Sequence, residues 1–212
     1  MEANQIQVRT LALAVATVVC IEAGLAFSSA AFNPMLKLGV ARLLELGLMV
    51  WIVSVQRGGI ASIGLDNVQG LSGLKRGVAW SLGFGVLSGI LFAVLVTVHI
   101  NPVAMIRSSL PKSSEELFLF FLVGGIVAPM TEELFFRGIL YGFLRRWGII
   151  VALVLSTSAF ALIHGLGHGF PITQVVGGLL FASAYEIEKT LLVPITIHCL
   201  GNLAIFSVSL IC

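Results

Sequence analysis

The 212-residue chain is 58% hydrophobic and 10% charged, and its formal net charge at pH 7 is +2. Soluble domains carry about 25% charged residues, so this composition excludes a soluble domain of any size. The basic residues lie mostly in loops between apolar segments, as in membrane proteins generally, so nothing supports a nucleic-acid partner. We expect residues 1–212 to form a single integral membrane domain, an all-α polytopic bundle of about seven transmembrane helices.

Three transmembrane spans are predicted in the N-terminal part of the chain, residues 1–100, where no functional motif is recognised. They cover residues 10–31, 38–55 and 77–100. The first is longer than the apolar core of a signal peptide, about 7–15 residues, so we expect it to be retained. The second carries Arg42 and Glu45, which we interpret as a structural pair, with gating of the substrate as the alternative. In the third, the spacing of Gly85 and Gly89 favours close contact with another helix.

Four further spans form the C-terminal part, residues 115–212, which we expect to be the catalytic core. They cover residues 115–144, 149–164, 172–185 and 191–210. The fourth span of the chain contains Glu132, Glu133 and Arg137 inside an apolar run that is long enough to cross a bilayer. Charge at that depth is costly and is tolerated mainly where it faces a partner or a cavity.

The two neighbouring glutamates are expected to differ in role. Glu133 and Arg137 are four residues apart, so they share a helix face and can pair. Glu132 points about 100° away, with no cation on its own face. We therefore interpret Glu132 as the reactive group and the Glu133–Arg137 pair as structural support. Pro129 should kink or restart the helix. If the helix restarts near Thr131, both glutamates lie in its first turn, where the helix dipole favours negative charge.

Polar residues from three spans are predicted to lie at a similar depth. We count inward from the basic side of the membrane at about 1.5 Å per residue. Glu132 then lies about 20 Å deep, His164 about 22 Å, His198 about 14 Å and Asn202 about 20 Å. All four are near the middle of a hydrocarbon core about 30 Å thick. The agreement in depth predicts one buried polar site.

This set of side chains suits hydrolysis by an activated water molecule. Glu132 can act as general base, and His164 can orient the same water or share its proton. His198 and Asn202 can donate hydrogen bonds to the oxyanion that forms on an attacked carbonyl. We predict no cofactor, with a zinc ion held by Glu132, His164 and His198 as the alternative. His168, in the glycine-rich loop after the fifth span, is interpreted as a loop residue, with substrate contact as the alternative.

Three short motifs occur in order on separate spans. They are Glu132-Glu133-x-x-x-Arg137, Phe160-x-x-x-His164 and His198-x-x-x-Asn202. Together they resemble the ordered motifs of the CAAX-protease and bacteriocin-processing (CPBP, or Abi) family of intramembrane endopeptidases. The resemblance covers roughly residues 124–205, which is under half of the chain.

The resemblance implies a role for each motif residue and an activity for the protein. It implies Glu132 as general base, His164 as its aid in holding the water, His198 and Asn202 as oxyanion stabilisers, and the charged pair of the first motif as structural support. The family is described both as metalloproteases and as glutamate-dependent proteases, so the resemblance leaves metal dependence open. The implied reaction is hydrolysis of a peptide bond near the C-terminus of a membrane-anchored or lipidated protein.

The expected partners are such a membrane-anchored protein or peptide and the lipid bilayer. The alternative is a non-enzymatic membrane protein, either a proton-coupled transporter or an immunity-type scaffold, that retains the motif residues for structure. Transporters often contain inverted repeats. The sequence shows no internal repeat, which counts against the transporter.

The loop charges predict an orientation. With seven spans, one side of the membrane has seven basic residues and the other has three, which predicts a cytoplasmic N-terminus. The seven are Arg9, Arg57, Lys75, Arg76, Arg145, Arg146 and Lys189, and the three are Lys37, Arg107 and Lys112. The compact chain favours the bacterial inner membrane. Glu186 and Glu188, which flank the loop residue Lys189, are expected to be solvated.

Overall fold

The computed structural model describes residues 6–27, 33–65, 70–165 and 171–211, and within these ranges the secondary structure is helical, without a strand. Seven long helices follow one another along the chain. They are α1 (Val8–Ala26), α2 (Pro34–Ser54), α3 (Gly70–Thr97), α4 (Ser114–Trp147), α5 (Ile149–Gly165), α6 (Ile172–Glu188) and α7 (Leu192–Ile211). A 3₁₀ helix, Gly59–Ile63, follows α2, and a short helix, Val103–Ile106, follows α3.

Each predicted span corresponds to one long helix. By length and composition, α1, α3, α4 and α7 can each cross a bilayer, and α5 is a shorter apolar helix. In α2, the charged side chains of Lys37, Arg42 and Glu45 interrupt the apolar pattern. The predicted all-α polytopic bundle is confirmed.

Helix α4 carries both glutamates and changes its hydrogen-bonding pattern around them. The stretches Val123–Val127 and Leu134–Tyr141 are π-helical, and Ala128–Glu133 between them is α-helical, with Pro129 in its first turn. Pro129, which has no backbone N–H, thus lies just after the point where the π-helical bonding pattern changes to the α-helical one. The helix therefore does not restart at Pro129, and the glutamates end the α-helical stretch rather than begin one.

Helix α3 packs against α7 through Gly77, which is not one of the two glycines predicted to make a helix contact. A Cβ atom added to Gly77 would lie 2.5 Å from the Cβ atom of Thr196 in α7, which is closer than such atoms approach. No atom lies within 4 Å of a Cβ atom added to Gly85 or Gly89. The predicted helix contact at Gly85 and Gly89 is therefore wrong. A small-residue spacing permits close approach, but the rotation of the helix decides which face meets a neighbour.

The basic end of the bundle is held together by the two glutamates that close α6. Glu186 accepts hydrogen bonds from Arg145 of α4, at 3.0 Å, and from Lys189, at 2.6 Å. Glu188 accepts a hydrogen bond of 2.9 Å from Arg76 of α3. The expectation that both glutamates are simply solvated is wrong, because each bridges α6 to another helix. Three of the basic residues assigned to one membrane side thus meet at one end of the fold.

Candidate active site

Three of the predicted site residues meet where α4, α5 and α7 come together. The Glu132 carboxylate on α4 lies between two imidazole rings: its Oε2 atom is 3.6 Å from Nε2 of His164 and 3.8 Å from Nε2 of His198. The side chain of His198 is 7% exposed, whereas those of Glu132 and His164 are 19% and 30% exposed. The site is thus closed on the α7 side and open near His164.

Hydrogen bonds fix the tautomer of each imidazole. Nδ1 of His164 lies 2.8 Å from the carbonyl oxygen of Phe160, which can only accept, so Nδ1 carries the hydrogen. Nδ1 of His198 lies 2.8 Å from Oε1 of Glu133, so an ionised Glu133 places a hydrogen there too. In the neutral rings, both Nε2 lone pairs therefore face Glu132. A water molecule has two hydrogens to donate, so it can satisfy two of these three acceptors at a time.

Glu133 and Arg137 form a fully buried ion pair that also supports the site. Nη1 of Arg137 lies 2.9 Å from Oε1 of Glu133, and both side chains are 0% exposed. Nη2 of Arg137 donates to the carbonyl oxygen of Gly178 in α6, at 3.2 Å. The Glu133 oxygen that binds Arg137 is the same one that meets His198. Sequence reasoning paired Glu133 with Arg137 only and missed the contact with His198, for which no local spacing gives a signal.

Aromatic rings enclose the ion pair and the closed side of the site. The guanidinium carbon of Arg137 lies 4.7 Å from the ring centroid of Phe160 and 5.2 Å from that of Phe181. The Phe181 ring stacks on His198, with centroids 4.5 Å apart and planes 22° from parallel. Aromatic faces attract a cation, and their apolar bulk excludes water. His198 is thus held in its orientation by one carboxylate and one ring.

Asn202 lies one helical turn beyond His198 on α7 and turns toward α4. Its Nδ2 atom donates to the carbonyl oxygen of Gly124, at 2.9 Å, in the π-helical stretch before the glutamates. That bond uses one of the two amide hydrogens and leaves the other for a further acceptor. The π-helical turn at Gly124 therefore fixes the direction of the Asn202 amide.

The zinc alternative depends on whether the donors are arranged around one point for an ion. Carboxylate and imidazole are ordinary zinc ligands, and the two Nε2 atoms face the carboxylate of Glu132. Over the described ranges, however, no group of three or more His, Cys, Asp or Glu side chains is placed to hold a metal ion. The absence of a cofactor stays a prediction, which removal of metal by a chelator tests. His168, considered for substrate contact, lies outside the described residues.

Comparison with known proteins gives two matches in the part of the chain that carries the site. Residues 114–204 match a family described as type II CAAX prenyl endopeptidase Rce1-like. The membrane-embedded CAAX protease MroQ of Staphylococcus aureus (strain USA300) is 37% identical over 92 residues. That alignment covers 41% of this chain and 36% of MroQ, so the match spans about a third of the relative. No solved structure matches significantly. The two matches confirm the resemblance to the CPBP family.

Proposed function

Because residues 114–204 match the family described as type II CAAX prenyl endopeptidase Rce1-like, we propose that the protein is an intramembrane endopeptidase of the CAAX type. It hydrolyses a peptide bond near the C-terminus of a membrane-anchored or lipidated protein. The observation that carries the proposal is the position of Glu132, with its carboxylate oxygen 3.6 Å and 3.8 Å from the Nε2 atoms of His164 and His198. A carboxylate beside two imidazoles, partly open to a substrate, is suited to activate water.

In the proposed reaction, a water molecule donates one hydrogen bond to Oε2 of Glu132 and one to Nε2 of His164. As the water oxygen attacks the carbonyl carbon, Glu132 takes a proton, a C–O bond forms and the carbonyl π electrons move to the oxygen. When the tetrahedral intermediate collapses, the C–N bond breaks and Glu132 returns the proton to the leaving amine. Glu132 thus serves first as base and then as acid, and no covalent enzyme intermediate is needed.

The negative charge on the carbonyl oxygen is stabilised from α7. The second amide hydrogen of Asn202 is one donor, since the first is taken by the carbonyl oxygen of Gly124. His198 is the second donor when both of its ring nitrogens carry a hydrogen, and its bond from Nδ1 to Glu133 fixes the direction in which Nε2 points. Donors aligned before the reaction lower the barrier most effectively in a site that excludes water. Glu133 and Arg137 therefore act as support, by holding His198 in place.

The membrane setting defines the class of substrate. Of the helices that carry the site, α4 and α7 are long and apolar enough to cross a bilayer, so we expect the scissile bond to reach the site from within or close to the lipid. A membrane anchor or a lipid group on the substrate would bring the bond to that depth. We assign the catalytic groups to residues 115–212. The cytoplasmic N-terminus and the bacterial inner membrane remain predictions from the sequence.

The decisive experiment measures cleavage by the purified full chain in detergent micelles. The probe is an internally quenched peptide that ends in Cys-a-a-X, with and without a prenyl group on the cysteine. Glu132→Gln keeps the size of the side chain but removes the base, so we expect kcat to fall by about 10²–10⁴-fold. The melting temperature should stay at the wild-type value.

Glu115→Gln is the matched control, because the same substitution at the exposed start of α4 leaves the site intact. It should cleave the probe at the wild-type rate, and mass spectrometry of the products identifies the bond. Cleavage by Glu132→Gln at the wild-type rate would contradict the assigned base. Failure of the wild-type protein to cleave either peptide would reject the proposed activity in favour of a transporter or scaffold.

Water activation without a metal is tested separately. Protein dialysed against a chelator, with its metal content measured by elemental analysis, should cleave the probe at the rate of untreated protein. Loss of cleavage that returns on addition of Zn²⁺ would instead assign Glu132, His164 and His198 as ligands.

A further inference from the structure

A second group of charged side chains lies between α1 and α2, outside the family match. The guanidinium of Arg42 on α2 is held by two carboxylates: Nη2 lies 2.7 Å from Oε1 of Glu22 on α1, and Nη1 bonds Oε2 of Glu45 on α2. The spacing in the sequence paired Arg42 with Glu45 only, and the structure adds Glu22. Because the two nitrogens belong to one planar guanidinium, the two carboxylates lie close to each other.

The Glu22–Arg42–Glu45 cluster lies deep in both helices. At 1.5 Å per residue, Glu22 is about 20 Å along α1 from Arg9, and Glu45 is about 14 Å and about 17 Å from the two ends of α2. The Glu45 side chain is 0% exposed and that of Glu22 is 42% exposed. Since α1 is long and apolar enough to cross a bilayer, the exposed part of Glu22 at that depth faces lipid rather than water.

The charges of the cluster do not balance. Two ionised carboxylates carry two negative charges and the guanidinium carries one positive charge, so the fully ionised cluster would have one negative charge in excess. The charged groups that face Glu45 are Glu22 from α1, Arg42 from its own helix and Glu132 from α4. Glu132 adds no positive charge. Excess charge in an apolar interior is costly, and two carboxylates that share a site avoid the cost when one of them holds a proton.

The second oxygen of Glu45 is the position where a proton would relieve the largest cost. Oε1 of Glu45 is buried and has no hydrogen-bond partner in the described ranges, whereas Oε2 of the same group bonds Arg42. An ionised oxygen in such a place has lost its hydration and gained no donor in return. A neutral carboxyl group costs much less to bury than a carboxylate.

A proton suits the cluster better than a metal ion does. Two carboxylates are few ligands for a metal, and in the part of the chain that the structure describes no group of three or more His, Cys, Asp or Glu side chains is placed to hold one. The guanidinium of Arg42 already bonds both carboxylates and would repel a second cation beside it. A proton needs no set of ligands, only one oxygen.

We propose that the Glu22–Arg42–Glu45 cluster is a proton-binding site that holds one proton at neutral pH, bound on Glu45 and shared with Glu22. The proton is taken up from solvent, and with it the cluster has no net charge. The site is separate from the proposed active site, and the inference does not depend on the peptidase function. It attaches α1 to α2 through a charge-balanced set of side chains, and loss of the proton weakens this attachment.

The test is infrared spectroscopy of the purified full chain at pH 7 in a maltoside detergent, which has no carboxyl or ester group. A protonated carboxyl group gives a C=O stretching band that ionised carboxylates lack, and the wild type should show it. Glu22→Gln and Glu45→Gln each leave one carboxylate for one guanidinium, so each should lose the band. Arg42→Gln leaves two carboxylates without a cation, so its band should grow about twofold.

Two controls make the same substitution at glutamates outside the cluster. Glu186→Gln changes a glutamate that accepts hydrogen bonds from two cations, Arg145 and Lys189, and therefore has no need of a proton. Glu132→Gln changes the reactive carboxylate of the proposed active site. Both variants should keep the wild-type band.

Each outcome supports or overturns the inference. A folded wild type without the band would overturn it, as would a wild-type band in folded Glu22→Gln. A band that is lost in Glu132→Gln and kept in Glu22→Gln would assign the proton to the proposed active site instead. Glu22→Gln, at a partly exposed position, decides the test if Glu45→Gln or Arg42→Gln does not fold. Failure of the protein to cleave any peptide would leave the proton site unaffected.

Discussion

The two parts of the chain are built differently. In the most apolar window of each helix, 11% of residues are buried in α1 and none in α3, compared with 33% in both α4 and α7. The C-terminal helices pack against one another around charged groups, whereas α1 and α3 present most of their surface outward. Helix α2 is intermediate, because six of its residues, Glu45 among them, are buried. A bundle in lipid gains little from hiding apolar side chains, because the lipid is equally apolar. Its buried polar groups, in contrast, must find partners within the bundle.

The N-terminal helices nevertheless pack directly against the C-terminal ones, and α3 lies along α7. Arg42 of α2 meets the glutamate-bearing helix through Thr131, and Gly77 of α3 meets Thr196 of α7. Under the proposed function, α4–α7 hold the reactive groups and α1–α3 pack around them. Substitutions in each part should therefore differ in both size and kind of effect.

The largest effect is expected from Arg137→Ala in the C-terminal part. The substitution leaves the buried Glu133 carboxylate without its cation and with only the contact to His198, which costs about 3–5 kcal/mol. Arg107→Ala, an exposed arginine in the loop before α4, is the matched control and should change stability by less than about 0.5 kcal/mol. Thermal unfolding in detergent measures both. Equal melting temperatures for the two variants would contradict the supporting role of the buried pair.

A smaller effect is expected from Gly77→Ala, which tests how α3 is attached. The new methyl group would lie 2.5 Å from the Cβ atom of Thr196, so α3 and α7 must move apart, at a cost of about 1–3 kcal/mol. Gly85→Ala makes the same change where no atom lies within 4 Å and should not destabilise the protein. If only Gly77→Ala lowers the melting temperature, the attachment of α3 to α7 at Gly77 is supported. A loss of stability in Gly85→Ala would contradict it.

The smallest effect concerns Glu186, just beyond the predicted sixth span. Burial opposes ionisation, but hydrogen bonds from Arg145, Lys189 and Tyr141 outweigh it and lower the pKa of Glu186 to about 2. A lowered pKa stabilises the fold above the ordinary value, near 4.5, and this contribution is lost as pH falls from about 4.5 to about 2. Partial exposure limits it to about 1 kcal/mol.

The measurement is the difference in unfolding free energy between the wild type and Glu186→Gln as a function of pH. The wild type should be the more stable protein at pH 7. The difference should shrink below pH 4.5 and vanish near pH 2. A difference that does not change over that range would show that Glu186 contributes no ionic stabilisation.

The sequence predicted the number and placement of the long helices because hydropathy directly reflects the bilayer. Span boundaries agree with helix ends within a few residues for α5 and α7, but α3 already includes Gly70, ahead of the predicted start at residue 77. Depth arithmetic selected Glu132, His164 and His198, and the structure brings these three together. Their chemical roles stay predictions.

Contacts between helices could not be predicted in the same way. Rotation about the helix axis decides whether Gly77 or Gly85 faces α7, and no local spacing encodes it. The bond between His198 and Glu133 joins residues 65 positions apart. The continuous course of α4 through Pro129 depends on a π-helical turn, which a rule for single prolines does not include. Sequence patterns thus describe each helix alone, and the site is made of relations among helices.

The ring of His198 touches both members of the glutamate pair, one through each nitrogen. Under the proposed chemistry, Glu132 loses its charge when it takes a proton. The ring of His198 lies between this residue and Glu133, the carboxylate that pairs with Arg137. Catalytic turnover and the stability of the bundle then depend on the same side chain. Substitutions around the His198 ring that raise kcat should therefore also lower the melting temperature.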